Sequence, residues 1–265
     1  MIVLKTTAEL ALMREAGQLA ARALAETIAA VKPGVTTAQL DAVAERVIRA
    51  GGGTPSFKNY RPAGSAPDVP AFPASICASV NDEIVHGLPG PRRLKEGDVM
   101  KIDVGAFYKG FHGDTAWSVP VGTISPQAQE LLRVTEQCLY AGIAVARAGN
   151  RFGDIGHAIQ TLAEAHGFSV IREYTSHGVG RELHEGFSLL NYGEPGQGML
   201  LRPGMTIALE PMINAGRYGT KVKKDLWTVS TIDGKLSAHF EHTIAITDGE
   251  ADVLTKEYAQ HSMSH

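Results

Sequence analysis

The chain has 265 residues, of which 44% are hydrophobic and 20% are charged, a composition typical of a packed soluble protein. Its formal net charge of -3 argues against direct nucleic-acid binding, because proteins with that function usually present a strongly basic surface. Cys77 and Cys138 form no Cys-x-x-Cys motif, and no run approaches ~20 uninterrupted apolar residues. The sequence therefore predicts a cytoplasmic protein without disulfides or membrane spans.

Two helices are predicted at the start of the chain. The first begins at a capping box, Thr-Thr-Ala-Glu at residues 6–9, and ends near the Lys-Pro-Gly of residues 32–34. The second begins at a similar pattern, Thr-Thr-Ala-Gln at residues 36–39, and ends at the glycines of residues 51–53. Strand-like sequence follows in the same half of the chain.

A segment rich in proline and small residues, Arg61 to Ala71, separates these helices from the strands. Its composition predicts an exposed loop. We interpret it as a surface insertion, and a flap over a binding site is the alternative.

The next strand-like sequence predicts a β-hairpin with a two-residue turn at Lys109-Gly110. In that register Asp114 lies opposite Gly105. Asp103 shares their face, because side chains alternate along a strand with a period of two. The hairpin should therefore direct two carboxylates to the same side of the sheet.

The second half of the chain repeats this order. Ser125-Pro126 predicts the start of a helix that runs to about Arg147, and Gly167 should end a fourth helix. Gly149 takes the place of Gly34 in this repeat, which indicates an internal duplication. We expect a single catalytic domain, residues 1–265, with pseudo-repeat halves at about 1–122 and 123–250 and a polar tail at 258–265.

A series of histidines and acids also occurs in both halves. The first half has His-Gly at residues 86–87, then Asp103, then His-Gly-Asp at residues 112–114; the second has His-Gly at residues 177–178, then Glu210, then His-Phe-Glu at residues 239–241. The four acids lie in apolar, strand-like sequence. Two halves that fold alike would bring these charges together, and folded proteins rarely tolerate such a cluster without cations. The pattern predicts a metal site.

The charges also indicate the type of chemistry. Two divalent cations would balance four carboxylates, and a pair of ions ~3.5–4 Å apart with a bridging hydroxide is a known device for hydrolysis. Oxygen ligands with one imidazole suit Mn, Fe, Co or Zn. Phosphate esters and peptides both remain open as substrates. Of His86, His177 and His184, one is expected to bind metal and the others to move protons or hold an oxyanion.

Several motifs resemble those of type I methionine aminopeptidases. They cover almost the whole chain in order: Phe72 to Asn81, Val85-His86-Gly87, Lys101 to Val104, Gly110 to Thr115, Thr175 to Gly180, Ala208 to Pro211 and Phe240 to Thr243. The resemblance implies an α+β pita-bread fold, in which two pseudo-symmetric halves, each with two helices and antiparallel strands, surround a central metal site.

The resemblance also implies roles for individual residues. The metal ligands would be Asp103, Asp114, His177, Glu210 and Glu241. The catalytic residues would be His86, His184 and Glu210, with Glu210 as the base, His184 at the oxyanion and His86 at the scissile amide. Besides His86 and His184, the substrate-binding residues would be Phe57, Tyr60, Phe72, Cys77, Leu183 and Trp227.

The implied function is metal-dependent release of the initiator methionine from nascent proteins and peptides with a small second residue. The cofactors would be two divalent ions, Co, Mn, Fe or Zn. The partner would be the N-terminal methionine of a nascent polypeptide, with transient ribosome association and a monomeric state as further expectations. A proline-directed peptidase on the same fold is the neighbouring alternative, and a binding module with a degenerate site is a second.

Three positions depart from the family pattern. The loop from Arg61 to Ala71 is longer than the short link typical of the family, the sequence after His184 lacks a proline, and His239 stands where glutamine is common. A separate conflict concerns Trp227. A two-residue turn at Asp233-Gly234 would pair Glu241 with Leu226 and place Trp227 on the face away from the pocket, and a bulge or a longer loop would remove the conflict.

Overall fold

The computed structural model describes residues 2–62 and 64–256. Within these residues lie four helices: α1 Thr7–Ala29, α2 Thr37–Ala50, α3 Pro126–Val145 and α4 Phe152–Ala165. All four predicted helices are present, and α3 ends two residues earlier than expected. The predicted polar tail at 258–265 falls outside the described residues.

Side-chain caps fix where the helices begin. Thr6 Oγ1 accepts a hydrogen bond from Glu9 N at 3.3 Å, and the Glu9 carboxylate accepts one from Thr6 N at 2.8 Å. The same reciprocal capping box opens α2, and Ser125 caps α3 through Ala128 N. These bonds satisfy backbone donors that the first helical turn leaves without partners. The helix starts were therefore readable from the sequence.

Within residues 2–62 and 64–256, the strands form one large antiparallel sheet and two small ones. The central sheet has the order β1-β4-β5-β14-β9-β7-β8, with β2 paired to β4 and β15 paired to β14; the small sheets are β13-β10-β6 and β11-β12-β3. The strand bounds are β1 Thr54–Pro55, β2 Ile76–Val80, β3 Glu83–Val85, β4 Val99–Tyr108, β5 Phe111–Pro120, β6 Ser169–Val170, β7 Ser176–Gly178, β8 Glu185–Leu189, β9 Thr206–Leu209, β10 Met212–Asn214, β11 Thr220–Val222, β12 Val229–Thr231, β13 Ser237–His239, β14 Glu241–Ala245 and β15 Asp252–Val253.

The hairpin predicted at Lys109-Gly110 is confirmed together with its register. Gly105 pairs with Asp114, and Asp103 pairs with Ala116. β5 also pairs with β14, which joins strands from the two halves of the chain in the middle of the central sheet. The hydrophobic core lies between this sheet and the helices, and Trp117 packs against Phe240 across that junction with ring centroids 4.7 Å apart.

The two-residue hairpin considered at Asp233-Gly234 does not form. β12 pairs with β11 and β3, whereas β13 pairs with β10, so the strands before and after the turn join different sheets. Glu241 pairs with Ala116 instead of Leu226, because the central sheet supplies its strand with neighbours on both edges. The predicted constraint on Trp227 therefore does not exist.

Gly113 allows α1 to pack directly on the hairpin strand that carries Asp114. A Cβ atom at Gly113 would lie 2.5 Å from the Gly17 backbone. We expect Gly113→Ala to lower the free energy of unfolding by about 1–3 kcal/mol, because the helix must move away from the strand. Chemical denaturation measures the change. Gly90→Ala, where nothing lies within 4 Å of the added carbon, is the control and should be near neutral; equal effects of the two substitutions would contradict the argument.

Candidate metal centre

A row of residues across four strands forms the floor of the site. Cys77 pairs with Asp103, Asp103 with Ala116, and Ala116 with Glu241. Directly opposed residues of an antiparallel sheet share one face, so the side chains of Asp103 and Glu241 lie on the same side with the small Ala116 between them. Asp114, from the neighbouring position of the hairpin, is on that face too and is buried. The sheet register thus brings acids of both halves together.

Glu210 reaches the site from the break between β9 and β10. Its backbone N–H donates to Ser176 Oγ at 3.0 Å, and its carbonyl accepts from Asn191 Nδ2 at 3.0 Å. Ser176 donates in turn to Asn191 Oδ1 at 2.7 Å. This buried set of hydrogen bonds fixes the backbone where Pro211 interrupts the strand.

His177 reaches the site from β7. Its Nε2 atom lies 3.5 Å from Glu210 Oε1 and 4.0 Å from Asp114 Oδ2. Nδ1 lies 3.0 Å from the carbonyl oxygen of Gly178, which orients the ring so that Nε2 faces the acids. Burial lowers the pKa of His177 to about 4, so the imidazole is neutral at physiological pH and keeps a lone pair for a metal.

The residues in the cluster fit a divalent metal. Asp114, His177 and Glu241 offer ligand atoms within 4.8 Å of one another, and so do Glu210, His239 and Glu241. Asp103 Oδ1 and Asp114 Oδ1 are buried without a hydrogen-bond partner in the part of the chain that the structure describes. Buried carboxylate oxygens without donors are costly unless a cation binds them.

The electrostatics of the acids support the same conclusion. Burial raises the pKa of Asp103, Asp114, Glu210 and Glu241 well above the ordinary values, and the charges of the neighbouring acids raise them further. The protein alone therefore disfavours four ionised carboxylates here. Metal binding requires the ionised form, so bound cations would reverse the effect of burial.

An apolar cavity of about 370 Å³ opens onto the metal centre. All the residues predicted to bind substrate line it: Phe57, Tyr60, Phe72, Cys77, His86, Leu183, His184 and Trp227. Its walls include edge-to-face contacts of Phe72 with Phe57, at 6.4 Å between centroids, and with Trp227, at 5.1 Å. All five predicted metal ligands lie at its polar end: Asp103, Asp114, His177, Glu210 and Glu241.

The predicted loop at Arg61 to Ala71 borders this cavity. Its stem is closed by backbone hydrogen bonds from Asn59 N to Phe72 O and from Phe72 N to Tyr60 O, both 2.8 Å long. Trp227 Nε1 donates to Pro70 O at 3.0 Å, and Pro62 lines the cavity. The segment is therefore part of the protein surface and also contacts the wall of the pocket.

The two remaining predicted histidines lie where the apolar cavity meets a more open cleft. His86, His177, His184 and Glu210 line both spaces. The His184 ring lies 4.1 Å from the His177 ring, and its Nδ1 is hydrogen-bonded to Tyr60 Oη at 2.6 Å. Burial lowers the pKa of His86 to about 4, and its ring packs edge-on to Tyr174 at 5.8 Å.

His239 belongs to the cluster but was not predicted as a site residue. Its Nε2 atom lies 3.4 Å from Glu210 Oε2 and 3.9 Å from Glu241 Oε2. Burial lowers the pKa of His239 to about 3, so the ring is neutral. The available signal was its position two residues before Glu241, which in an unbroken strand would place both side chains on one face.

Residues 11–248 match the family described as Metallopeptidase family M24. The chain belongs to that family. Methionine aminopeptidase 1 of Bacillus subtilis is 51% identical over 97% of this chain and 100% of its own length. A methionine aminopeptidase of Clostridium perfringens is 46% identical over 96% of this chain and 99% of its own length.

Solved structures agree with this assignment. The methionine aminopeptidase of Thermotoga maritima superposes with a TM-score of 0.92 at 44% identity, covering 97% of this chain and 100% of that one. Prolidase from Pyrococcus furiosus superposes with a TM-score of 0.76 at 21% identity, covering 96% of this chain and 65% of that one, which shows the shared fold alone. The predicted α+β pita-bread fold is confirmed. No helix in the described part of the chain is long and apolar enough to cross a membrane.

Proposed function

We propose that this protein is a methionine aminopeptidase, which releases the N-terminal methionine from nascent proteins and peptides whose second residue is small. The observation that carries the proposal is an apolar cavity, about 370 Å³ in volume, whose polar end is a cluster of four acids and an imidazole. Relatives at 51% and 46% identity over nearly the full chain bear the name of this activity. The alternative of a degenerate binding module is disfavoured, because the sequence carries all five expected ligand residues.

The metal would be held by Asp103, Asp114, His177, Glu210 and Glu241. Two divalent ions would balance the four acids, and Mn, Fe, Co and Zn all suit the donor set. Bound ions supply an acidified water and polarise the peptide carbonyl. Asp114 and Glu241 would help to hold both ions, which is supported by the register that sets them on the same face of the central sheet.

The scissile peptide would lie where the apolar cavity meets the open cleft. Glu210 lines both spaces and would accept a proton from the attacking water. His184 would donate a hydrogen bond to the developing oxyanion, with its ring held by the Tyr60 hydroxyl. His86, which also lines both spaces, would contact the scissile amide and assist proton transfer to the leaving nitrogen.

The apolar cavity would hold the methionine side chain. Its walls combine aromatic rings with the buried thiol of Cys77, and a thioether packs favourably against aromatic edges. An unbranched side chain can extend to the apolar end of such a pocket. The open cleft of about 470 Å³ would bind the rest of the peptide. The long loop beside Tyr60 and Phe72 would influence access to this pocket.

We expect Trp227→Ala to lower kcat/KM for a Met-Ala-Ser peptide by about 10- to 100-fold. The substitution removes one wall of the pocket and the hydrogen bond to Pro70 O, and loss of a large buried aromatic contact is worth a few kcal/mol. Steady-state kinetics measures the effect. Tyr218→Ala removes an exposed aromatic away from the cavity and should leave kcat/KM unchanged. If both variants lose activity equally, Trp227 does not shape the pocket.

The function is tested by supplying purified protein with Mn, Fe, Co or Zn in turn and measuring methionine release from Met-Ala-Ser. Release with at least one metal, abolished by a chelator, is expected. No release with any metal would overturn the proposal. Cleavage of an Ala-Pro peptide in preference to Met-Ala-Ser would favour the proline-directed alternative.

We further propose that the protein acts as a monomer in the cytoplasm, where nascent chains present their initiator methionine, and that it associates transiently with ribosomes. The cytoplasmic location and the ribosome association follow from the substrate. Sedimentation velocity tests the monomer, and co-sedimentation with translating ribosomes tests the association.

A further inference from the structure

His239 presents a buried nitrogen to the metal centre. Its side chain is 1% exposed, and Nε2 has no hydrogen-bond partner within residues 2–62 and 64–256. The nearest charged atom is Glu210 Oε2 at 3.4 Å, followed by Glu241 Oε2 at 3.9 Å. A buried polar atom that faces a carboxylate without a hydrogen bond indicates an interaction that the working site completes.

The two oxygens of Glu210 face different imidazoles. Oε1 lies 3.5 Å from His177 Nε2, whereas Oε2 lies 3.4 Å from His239 Nε2. His239 groups with Glu210 and Glu241, while Asp114 and His177 belong to the other group of potential ligands. Oε1 is therefore the oxygen of Glu210 that lies beside the proposed ligand His177. His239 then faces the second oxygen, which still needs a donor.

We propose that His239 is a positioning residue, which donates its Nε2–H to Glu210 Oε2 and so holds this carboxylate in place for the metal. The inference rests on the proposed function, because it assigns a partner to a proposed metal ligand. The observed 3.4 Å is just beyond the usual range for N–H···O bonds, about 2.7–3.2 Å, so a small rotation of the carboxylate closes the bond. Ligating carboxylates are commonly oriented by such outer partners.

The backbone around His239 is held on two sides, which fixes the direction in which its side chain leaves the strand. His239 N donates to Ser118 Oγ at 2.8 Å, and Ser118 Oγ donates to His239 O at 2.7 Å. On its other edge, β13 pairs His239 with Met212 of β10. Phe240, the next residue, points into the core against Trp117. A side chain carried by a backbone held in this way is suited to position a carboxylate.

The sequence repeat supplies a matched control. His112 stands two residues before Asp114, as His239 stands two residues before Glu241. However, His112 Nδ1 is hydrogen-bonded to Ser56 Oγ at 2.9 Å, and its ring packs on Phe107 at 4.7 Å. The two histidines therefore share a place in the repeat but have different neighbours, and only His239 faces the metal centre.

The test is the affinity of the full-length protein for Mn²⁺, measured by chelator competition. We expect His239→Leu to weaken Mn²⁺ binding by about 10- to 100-fold, the range typical for loss of an outer partner. His239→Gln, whose amide donates one N–H, should stay within about threefold of the wild type. His112→Gln should leave the affinity unchanged. If His239→Leu does not fold, His239→Asn, with an amide too short to reach Glu210, replaces it.

Pulsed electron paramagnetic resonance of the Mn²⁺ protein supplies the second readout, the number of bound imidazole nitrogens. The same nitrogen signal in the wild type and His239→Gln supports the proposal. Loss of a nitrogen in His239→Gln overturns it, because His239 would then be a ligand. Wild-type affinity in His239→Leu or His239→Asn also overturns it. A protein that binds Mn²⁺ as expected but releases no methionine refutes the proposed function and leaves this inference intact.

Discussion

Asp114→Asn is expected to abolish peptide hydrolysis while raising the melting temperature of the metal-free protein. Asp114 is a proposed ligand, so the loss of activity should exceed the roughly 10–100-fold typical for outer partners of metal ligands. The gain in stability has a different cause. Burial, and then the negative charge of Asp103, raise the pKa of Asp114, so the folded protein without metal disfavours the ionised carboxylate.

The sign of the pH dependence follows from the raised pKa. A carboxyl group whose pKa is higher in the folded than in the unfolded state stabilises the fold at low pH, and this contribution is lost as the pH rises through the folded-state value. The neutral amide of Asp114→Asn does not titrate. The melting-temperature difference from the wild type should therefore be larger at about pH 8 than at about pH 5.

Asp98→Asn is the control for this experiment. Asp98 accepts hydrogen bonds from Asn81 Nδ2 and Lys95 N, both at 2.9 Å, and it lies outside the acid cluster. Its substitution should preserve activity and should not raise the melting temperature. Scanning calorimetry of the metal-free proteins and the methionine-release assay measure the two effects. An Asp114→Asn protein that is less stable than the wild type without metal would show that the acids do not repel one another.

His86→Asn is expected to lower kcat by about 10²- to 10³-fold, within the range for loss of a proton-transfer group, with Mn²⁺ affinity unchanged. His86 lines the junction of the cavity and the cleft and is absent from both groups of potential metal ligands. The residue has a φ angle of 58°. Asparagine is among the residues that tolerate this left-handed backbone, so the substitution removes the imidazole without straining the chain.

The control for His86→Asn is His166→Asn, because His166 is an exposed residue bonded to Leu162 O at the end of α4. It should retain the kcat of the wild type. Stopped assays at saturating peptide give kcat, and chelator competition gives the metal affinity. If His86→Asn keeps kcat within tenfold, His86 does not assist proton transfer. If it loses metal instead, its role is in the metal centre.

Local features of the sequence proved sufficient for the helices and for half of the site. The capping boxes at Thr6 and Thr36 fixed helix starts because the bonds they form span three residues. The hairpin register of Asp103 and Asp114 was also readable, since a two-residue turn and side-chain alternation determine it. These features depend on neighbours that are close in the chain.

The position of Trp227 and the role of His239 were not readable in that way. The turn at Asp233-Gly234 suggested a hairpin, but β12 and β13 join different sheets because other strands compete for their edges. In the sequence, His239 stands out only as a departure from a family pattern. Its approach to Glu210 depends on two strands that are brought side by side by the fold.

The sequence by itself determined which residue types this protein would use: four acids and a set of histidines in a repeated order, with helices and a hairpin around them. Only the tertiary structure decided which histidines meet which acids. Pairing of β5 with β14 sets Ala116 opposite Glu241 and so joins the acids of the two halves. The physical reason is that strand pairing between distant segments depends on competition among all available edges and on core packing, which no local pattern encodes.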